Sequence, residues 1–445
     1  MTTSHDMTGD YRSRYTLPMR YLLILSILAT SAFAQTLDER VRRELPSLIE
    51  TYQILHAAPE LSLQEKNTSA YLASRLRQLG YQVTERFGAY DEPGLTCYGV
   101  VAVMRNGSGP VVLVRTDMDA LPVTEQTGLA YASKNEGVMH ACGHDVHMST
   151  LIGTAKILAD LRSQWSGTVV LIGQPAEELG RGAAAMLRAG LYERFPRPDF
   201  AIALHDWALL PAGKVSYRPG FIMAASNAVD ITVRGMGGHG ATPEKTRDPI
   251  VVAAQIVLAL QTIVSRETSA LDPVVLTIGS IHGGTKRNII PDDVKLLLTV
   301  RTYKPEVQRR VLAAIERTAR GVALAAGFPP ELAPLVEIHP GESTPATYND
   351  PALAERLAGA VRREIGASEV VEGDQVMVSE DFGRFSLEQK IPAAMLFLGA
   401  ADPRKVAAGE EVPALHSSQF APPAELTLRT GVRAMTAMAL ELLKK

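Results

Sequence analysis

The sequence predicts an α/β protein: a mostly parallel sheet sandwiched by helices, interrupted by an inserted two-layer α+β domain. Three observations predict it. Short apolar runs alternate with helical stretches through the first half of the chain, the pattern of a parallel sheet covered by helices. After Pro219-Gly220 the order becomes strand, helix, strand, strand, helix, which suits a small insert with an antiparallel component. A length of 445 residues exceeds what one hydrophobic core usually organises, and 46% apolar residues supply material for two.

Taken in order, the chain opens with a segment, Met19-Arg20-Tyr21 followed by LLILSILATSAFA, that has a basic start, an apolar run and small residues at Ala32 and Ala34. This is the pattern of a secretory leader spanning 1–34, with Met19 open as an alternative start, and cleavage would leave Gln35 first. A membrane span needs about 20 apolar residues and this run is shorter and interrupted by serine and threonine, so no stable span is expected after cleavage and the location expected is secreted or periplasmic, with a retained N-terminal anchor as the alternative. Apolar residues recur at helical spacing over 37–56 and 66–80, where Gly80 stops the helix before the strand-like YQVTERF. Strand candidates follow at 98–104, 111–115, 168–173 and 200–204, separated by helical stretches such as 148–162 and 182–190.

The insert is expected at 223–336, with strands at 228–234, 273–281 and 294–302 and helices at 249–264 and 305–324. It divides one catalytic domain into 35–222 and 337–445, the second part carrying a helix at 350–364, a strand at 393–398 and an amphipathic helix at 423–443. A net charge of −3 leaves no electrostatic footprint for nucleic acid or an anionic membrane, so a small molecule is the expected partner.

Polar, metal-capable residues follow three of the strand candidates: Asp117 and Asp119, Glu177 and Glu178, and His205 and Asp206. Ligands of open α/β sheets bind beyond the carboxyl ends of strands, so these groups should converge. The string His140-Ala-Cys142-Gly-His144-Asp145-Val-His147 adds a thiol and imidazoles just before a helix, and His416 lies in a loop before the last one. Sulfur, imidazole and carboxylate at this density suit zinc or a related divalent ion. Cys142 is therefore read as a ligand rather than half of a disulfide with Cys97, which reads as a packed thiol. Adjacent Glu177 and Glu178 point apart in extended structure, so one can bind metal while the other takes a proton from water. Hydrolysis is the expected chemistry.

The strings RTDMDALPVTE, MHACGHDVHM, PAEELGRGA, GHGATPEKTRDPI, NIIPD, SEDF and ALHSSQF closely resemble the amidohydrolase branch of the aminoacylase and carboxypeptidase metallopeptidases. That branch includes hippurate hydrolases, N-acyl-amino-acid deacylases and auxin-conjugate hydrolases, and the likeness runs from His56 to the last helix. It implies a zinc-exopeptidase-like catalytic domain and two divalent ions (zinc, manganese, cobalt or nickel) held by Cys142, His144, Glu178, His205 and His416, with Glu177 as general base. It further implies that the insert is a lid forming a homodimer. His239 would then reach the neighbouring subunit's site to stabilise the oxyanion, while Asn288 would help hold the substrate carboxylate.

Where other branches carry a His-x-Asp ligand motif this chain has Asp117-Met-Asp119; Asp119 is accordingly read as orienting a ligand from behind. Glu244 stands where relatives often carry histidine, a departure that bears on acyl-group specificity. His147 is open between a direct role at the metal and one in packing or orienting a ligand, and Glu380 and Asp381 between lining a pocket and capping structure. His56, His282 and His339 read as packing or surface residues, since no partner string surrounds them. The expected activity is metal-dependent hydrolysis of a linear amide in an N-acyl amino acid. A metallo-dipeptidase or carboxypeptidase is the alternative, and a non-catalytic metal-binding dimeric scaffold the more distant one.

Overall fold

A computed structural model describes residues 35–387 and 389–444; the expected leader lies outside them. Two helices open the chain, α1 (Leu37–Ala57) and α2 (Lys66–Gln78). Thr36 caps α1 in a reciprocal box, its hydroxyl accepting from the Glu39 N–H while Glu39 accepts from the Thr36 N–H. The main sheet then takes β1 (Gln82–Thr84), β2 (Val100–Asn106), β3 (Val111–Asp117), β4 (Gly167–Gln174), β5 (Phe200–Pro211) and β6 (Val215–Tyr217), with α3 (His144–Asp160) and α4 (Gly182–Arg188) between them.

Late in the chain β15 (Val370–Glu372) and β16 (Ala393–Ala401) complete an eight-stranded sheet of order β1-β2-β4-β3-β5-β16-β6-β15. Its centre, β4-β3-β5-β16, is parallel. All eight residues of β4 are buried, as a strand covered on both faces requires. On one face lie α1, α3, α7 (Pro351–Ile365) and α8 (Ala424–Leu442), their apolar stripes meeting the sheet in the largest core cluster. Because β3, β4 and β5 are parallel neighbours, the segments around their carboxyl ends share one end of the sheet.

The second unit is a four-stranded antiparallel sheet of order β10-β12-β8-β13, built from β8 (Ala225–Arg234), β10 (Val274–His282), β12 (Asp293–Thr302) and β13 (Leu335–Thr344), while β7 (Gly220–Met223) pairs with β14 (Thr347–Asn349) and β9 (Gly238–His239) with β11 (Ile289–Ile290) in two short ladders. Two helices, α5 (Pro249–Thr262) and α6 (Pro305–Ala325), cover one face and bury Val229, Ile231, Val233, Leu296 and Leu298. The alternation leaves Ser226 and Arg301, register partners, on the open face.

Some expectations shift. The run at 98–104 forms β2, which pairs antiparallel with both β1 and β4, so the sheet is mixed at that edge. His205 and Asp206 lie inside β5, which continues past them through Trp207-Ala-Leu-Leu to Pro211, rather than after its end. The helix expected from 148 begins at His144. The insert's sheet also draws on β13, past residue 336; its mixed, largely exposed sequence carries little strand periodicity.

Candidate active site

Each candidate ligand is delivered by a different local device. Gly143, in the left-handed region at φ 83°, turns the chain between Cys142 and the first helical residue, His144. A side chain there would meet Asp206, since a Cβ on Gly143 would lie 2.4 Å from Asp206 Oδ2. Glu177 and Glu178 follow Ala176, a non-glycine at φ 48°, just beyond β4. His416, at φ 67°, donates its backbone N–H to Ala141 O at 2.8 Å, tying its loop to the Cys142 segment. Such backbone strain persists only where surrounding contacts fix it, and it clusters at functional sites.

The ring nitrogens divide sharply in role. His144 donates from Nδ1 to the Asp119 carbonyl at 2.8 Å, and His205 from Nδ1 to the Asp206 carbonyl at 2.7 Å, leaving Nε2 of each as a lone-pair donor to a cation. His147 is different: its Nε2 accepts the Asp206 N–H at 2.8 Å, so Nδ1 carries the proton given to Asp117 at 2.6 Å. Both its nitrogens are used, which settles its open role in favour of orientation. Asp117 is also fully engaged, its second oxygen accepting from Arg115 at 2.6 Å.

Around the free nitrogens the ligand atoms converge. Cys142 Sγ lies 3.7 Å from His205 Nε2 and 3.3 Å from His416 Nε2. Glu178 Oε1 is 3.9 Å from His144 Nε2 and 3.6 Å from His416 Nε2, and Glu177 Oε2 is 3.9 Å from His144 Nε2. The ligand atoms of Cys142-His144-His205, of Cys142-Glu178-His416 and of His144-Glu177-Glu178 lie within 4.8 Å of one another, so each set could hold an ion. His144 Nε2 and Glu178 Oε1 are buried without a hydrogen-bond partner. Buried polar atoms are rarely left so, and one sulfur with imidazoles and a carboxylate fits a zinc-like ion.

Charge makes the same point. Burial alone would lower His144, yet Asp117 and Asp119 outweigh it and raise the ring to about 10; the negative charge that holds a proton there would hold a cation. Burial pulls His205 down to about 3, so its ring stays neutral. Burial, then Glu380 and Glu178, pushes Glu177 well above the carboxylate range, and cations beside it would act in the opposite direction. Asp119 stands behind the cluster, Oδ1 accepting from the Glu177 N–H at 3.1 Å and Oδ2 from the Glu178 N–H at 3.0 Å and Ser62 Oγ at 2.6 Å.

Arg115 and Arg301 were assigned no role from the sequence. Arg115 is fully buried and bridges Asp117, Glu380 and Asp381. Asp381 also accepts from Gln174 at 2.6 Å and the Ala183 N–H at 3.0 Å, and so fixes structure, while Glu380 lines the cavity. Arg301 enters that cavity from the insert, Nη1 donating to Met377 O at 3.0 Å and Ser379 Oγ at 3.3 Å. The cavity, about 930 Å³, is also lined by Cys142, Glu177, Glu178, His205 and His416.

His239 and Asn288 do not line it. They sit together on the insert, exposed, where Gly238–His239 pairs with Ile289–Ile290 and the Gly240 N–H reaches Asn288 O at 2.9 Å. The glycines near His239 admit the chain's own backbone: a Cβ on Gly237 would meet Ile290 O at 2.6 Å. His282 bonds Ser280 and His339 faces Asp230, both on the surface of the insert, but His56 is buried between two carboxylates.

A family model for Peptidase family M20/M25/M40 matches residues 113–441. A thermostable carboxypeptidase 1 from Saccharolobus solfataricus is 36% identical over 373 residues, covering 83% of this chain and 90% of the relative. An N-acetylcysteine deacetylase from Bacillus subtilis is 35% identical over 352 residues, covering 79% and 88%. Among solved structures, the Bacillus subtilis YXEP protein, described as a dinuclear metal binding peptidase, superposes with a TM-score of 0.74 at 29% identity, covering 90% of this chain and 99% of that one.

Proposed function

The chain belongs to peptidase family M20/M25/M40 and is a metal-dependent amide hydrolase; from that premise we propose that it cleaves N-acyl amino acids or related small conjugates, with Glu177 as general base. One observation carries this reading: Glu177, the candidate ligands Cys142, Glu178, His205 and His416, and Arg301 line one cavity. Cys142, His144, Glu178, His205 and His416 are the residues that would hold two divalent ions, whose chemistry when bound would be Lewis acidity toward water and the amide carbonyl.

The chain's own groups do the rest. Glu177 takes a proton from water on a carboxylate oxygen as the water oxygen bonds to the carbonyl carbon, and returns that proton to the amide nitrogen as the carbon–nitrogen bond breaks, releasing a carboxylic acid and a free amine. Asp119 holds the two glutamates through their backbone N–H groups, so base and ligand keep their relative position. Arg301 has donors beyond those given to Met377 and Ser379, and a half-buried guanidinium in a cleft is suited to a substrate carboxylate. That matches an N-acyl amino acid, whose carboxylate lies one carbon from the scissile nitrogen. Export through a leader cleaved before Gln35 belongs to the same proposal; the amino terminus of the secreted protein tests it.

A carboxypeptidase or dipeptidase activity is the second reading, favoured by the carboxypeptidase relative and by a cavity of about 930 Å³. A panel of N-acetyl amino acids, hippurate and dipeptides separates the two: faster deacylation supports the first, faster peptide cleavage the second. On the preferred substrate Arg301→Ala is expected to raise KM about ten- to a hundred-fold, the worth of a lost charged hydrogen bond, and to have little effect on the carboxamide analogue. Equal effects on both would remove Arg301 as the carboxylate partner.

A further inference from the structure

His56, in the last turn of α1, is buried between the buried Asp145 and the partly buried Glu125, whose side chain is 4% exposed. Its Nδ1 lies 2.7 Å from Asp145 Oδ2 and its Nε2 3.2 Å from Glu125 Oε1. Carboxylates only accept, so both ring nitrogens donate and the ring is an imidazolium. Burial alone would lower its pKa, but Asp145 and then Glu125 raise it to about 9. The rings of Tyr52 and Tyr131 stand against it, each with centroids 5.5 Å away.

The partners of His56 belong to the pieces that carry ligands. Asp145 follows His144 in the first turn of α3. Glu125 lies in the first third of the segment from Met118 to Gly143, which bears Asp119 and Cys142 and holds no regular helix or strand beyond isolated bridges. This segment leans on the chain just after α1: the Ala120 N–H reaches Glu60 O at 2.8 Å, the Lys134 N–H reaches Ala57 O at 3.0 Å and Asn135 Nδ2 reaches Pro59 O at 2.7 Å. Within it, Glu125 also accepts from Thr127 and from the Ser133 N–H. A buried ion trio adds little net stability over apolar packing, and its best attested use is to fix one arrangement.

We propose that His56 is a positioning residue for the metal centre: by bridging Glu125 and Asp145 it locks the Met118–Gly143 segment against the first turn of α3, setting Cys142 relative to His144. The proposal rests on the reading of these residues as ligands, not on the substrate. The test is metal binding: protein stripped by a chelator is titrated with Co²⁺ by calorimetry while the visible spectrum reports the ligand geometry. In His56→Gln, binding of at least one ion is expected to weaken about ten-fold and the thiolate–cobalt band to shift. Asp145→Asn should give a similar loss, and the double variant no more than either single, because both break one link.

Wild-type affinity and spectrum in folded His56→Gln overturn the proposal, as do losses that simply add in the double variant. If His56→Gln does not fold, Glu125→Gln, which keeps a hydrogen-bond acceptor, is expected to shift binding in the same direction by less, and wild-type behaviour there is equally fatal. A wild-type protein that binds no Co²⁺ removes the ligand reading and the proposal together. One that binds two ions yet hydrolyses no N-acyl amino acid removes only the substrate assignment.

Discussion

Whether a histidine beside the metal cluster can bind an ion is decided by the hydrogen bond at its other nitrogen. His144 and His205 each give Nδ1–H to a carbonyl and keep Nε2 free, whereas His147 spends both nitrogens on Asp117 and the Asp206 N–H. The same reasoning makes His56 a cation, with a consequence for stability. Its pKa rises on folding from 6.5 to about 9, so the folded chain binds the extra proton across that interval. The stabilisation is full below pH 6.5 and is lost as pH climbs through about 9. Urea midpoints measured from pH 6 to 10 should therefore fall across this range in the wild type and fall less in His56→Gln; parallel curves would contradict the assignment. Cys142, His144, Glu177, Glu178 and His205 stood out in the sequence as candidates because metal-capable groups crowd into one short string or follow apolar strands, whereas His416 stands alone in ALHSSQF and its place in the ligand set came from the family resemblance. His56 and Arg115 did not stand out: the partners of His56 lie 69 and 89 positions away and Glu380 lies 265 from Arg115, separations that only the fold closes.

Among the elements, the turn into α3 carries most of the geometry. Gly143 combines a positive φ with the Asp206 carboxylate against its Cα. Gly143→Ala would cost about 1–2 kcal/mol for the left-handed conformation alone, and the clash adds to it. Denaturant unfolding should report at least that loss, together with weakened metal binding; a variant as stable as the wild type would mean that the turn is not fixed as described. The strands at the sheet's centre were legible because continuous apolar runs mark them, as in β4. The continuation of β5 past Leu204 and the existence of β13 were not, since polar residues at the site and exposed residues in an edge strand erase the periodicity that identifies strands.

For the molecule as a whole, the alternation of strands and helices and the change after Pro219-Gly220 were enough to give one α/β unit and one α+β insert. Composition could not say what the insert's outer surface meets. There Leu258 is 72% and Leu324 69% exposed beside a groove between α5 and α6, and β10 is an unpaired edge of the sheet. A homodimer of the kind the family resemblance implies would cover such a surface. Sedimentation is expected to give a dimer at micromolar concentration that Leu258→Glu weakens; a wild-type monomer would remove the dimer and, with it, the role given to His239. Most direct of all is a comparison of wild type and Glu177→Gln for metal content and for hydrolysis of N-acetyl amino acids, before chelation, after it and after metal is restored. Two ions per chain in both proteins are expected, with wild-type activity lost and regained with the metal and Glu177→Gln slower by about 10²–10⁴-fold. Wild-type turnover in Glu177→Gln, or hydrolysis that persists without metal, would contradict the mechanism.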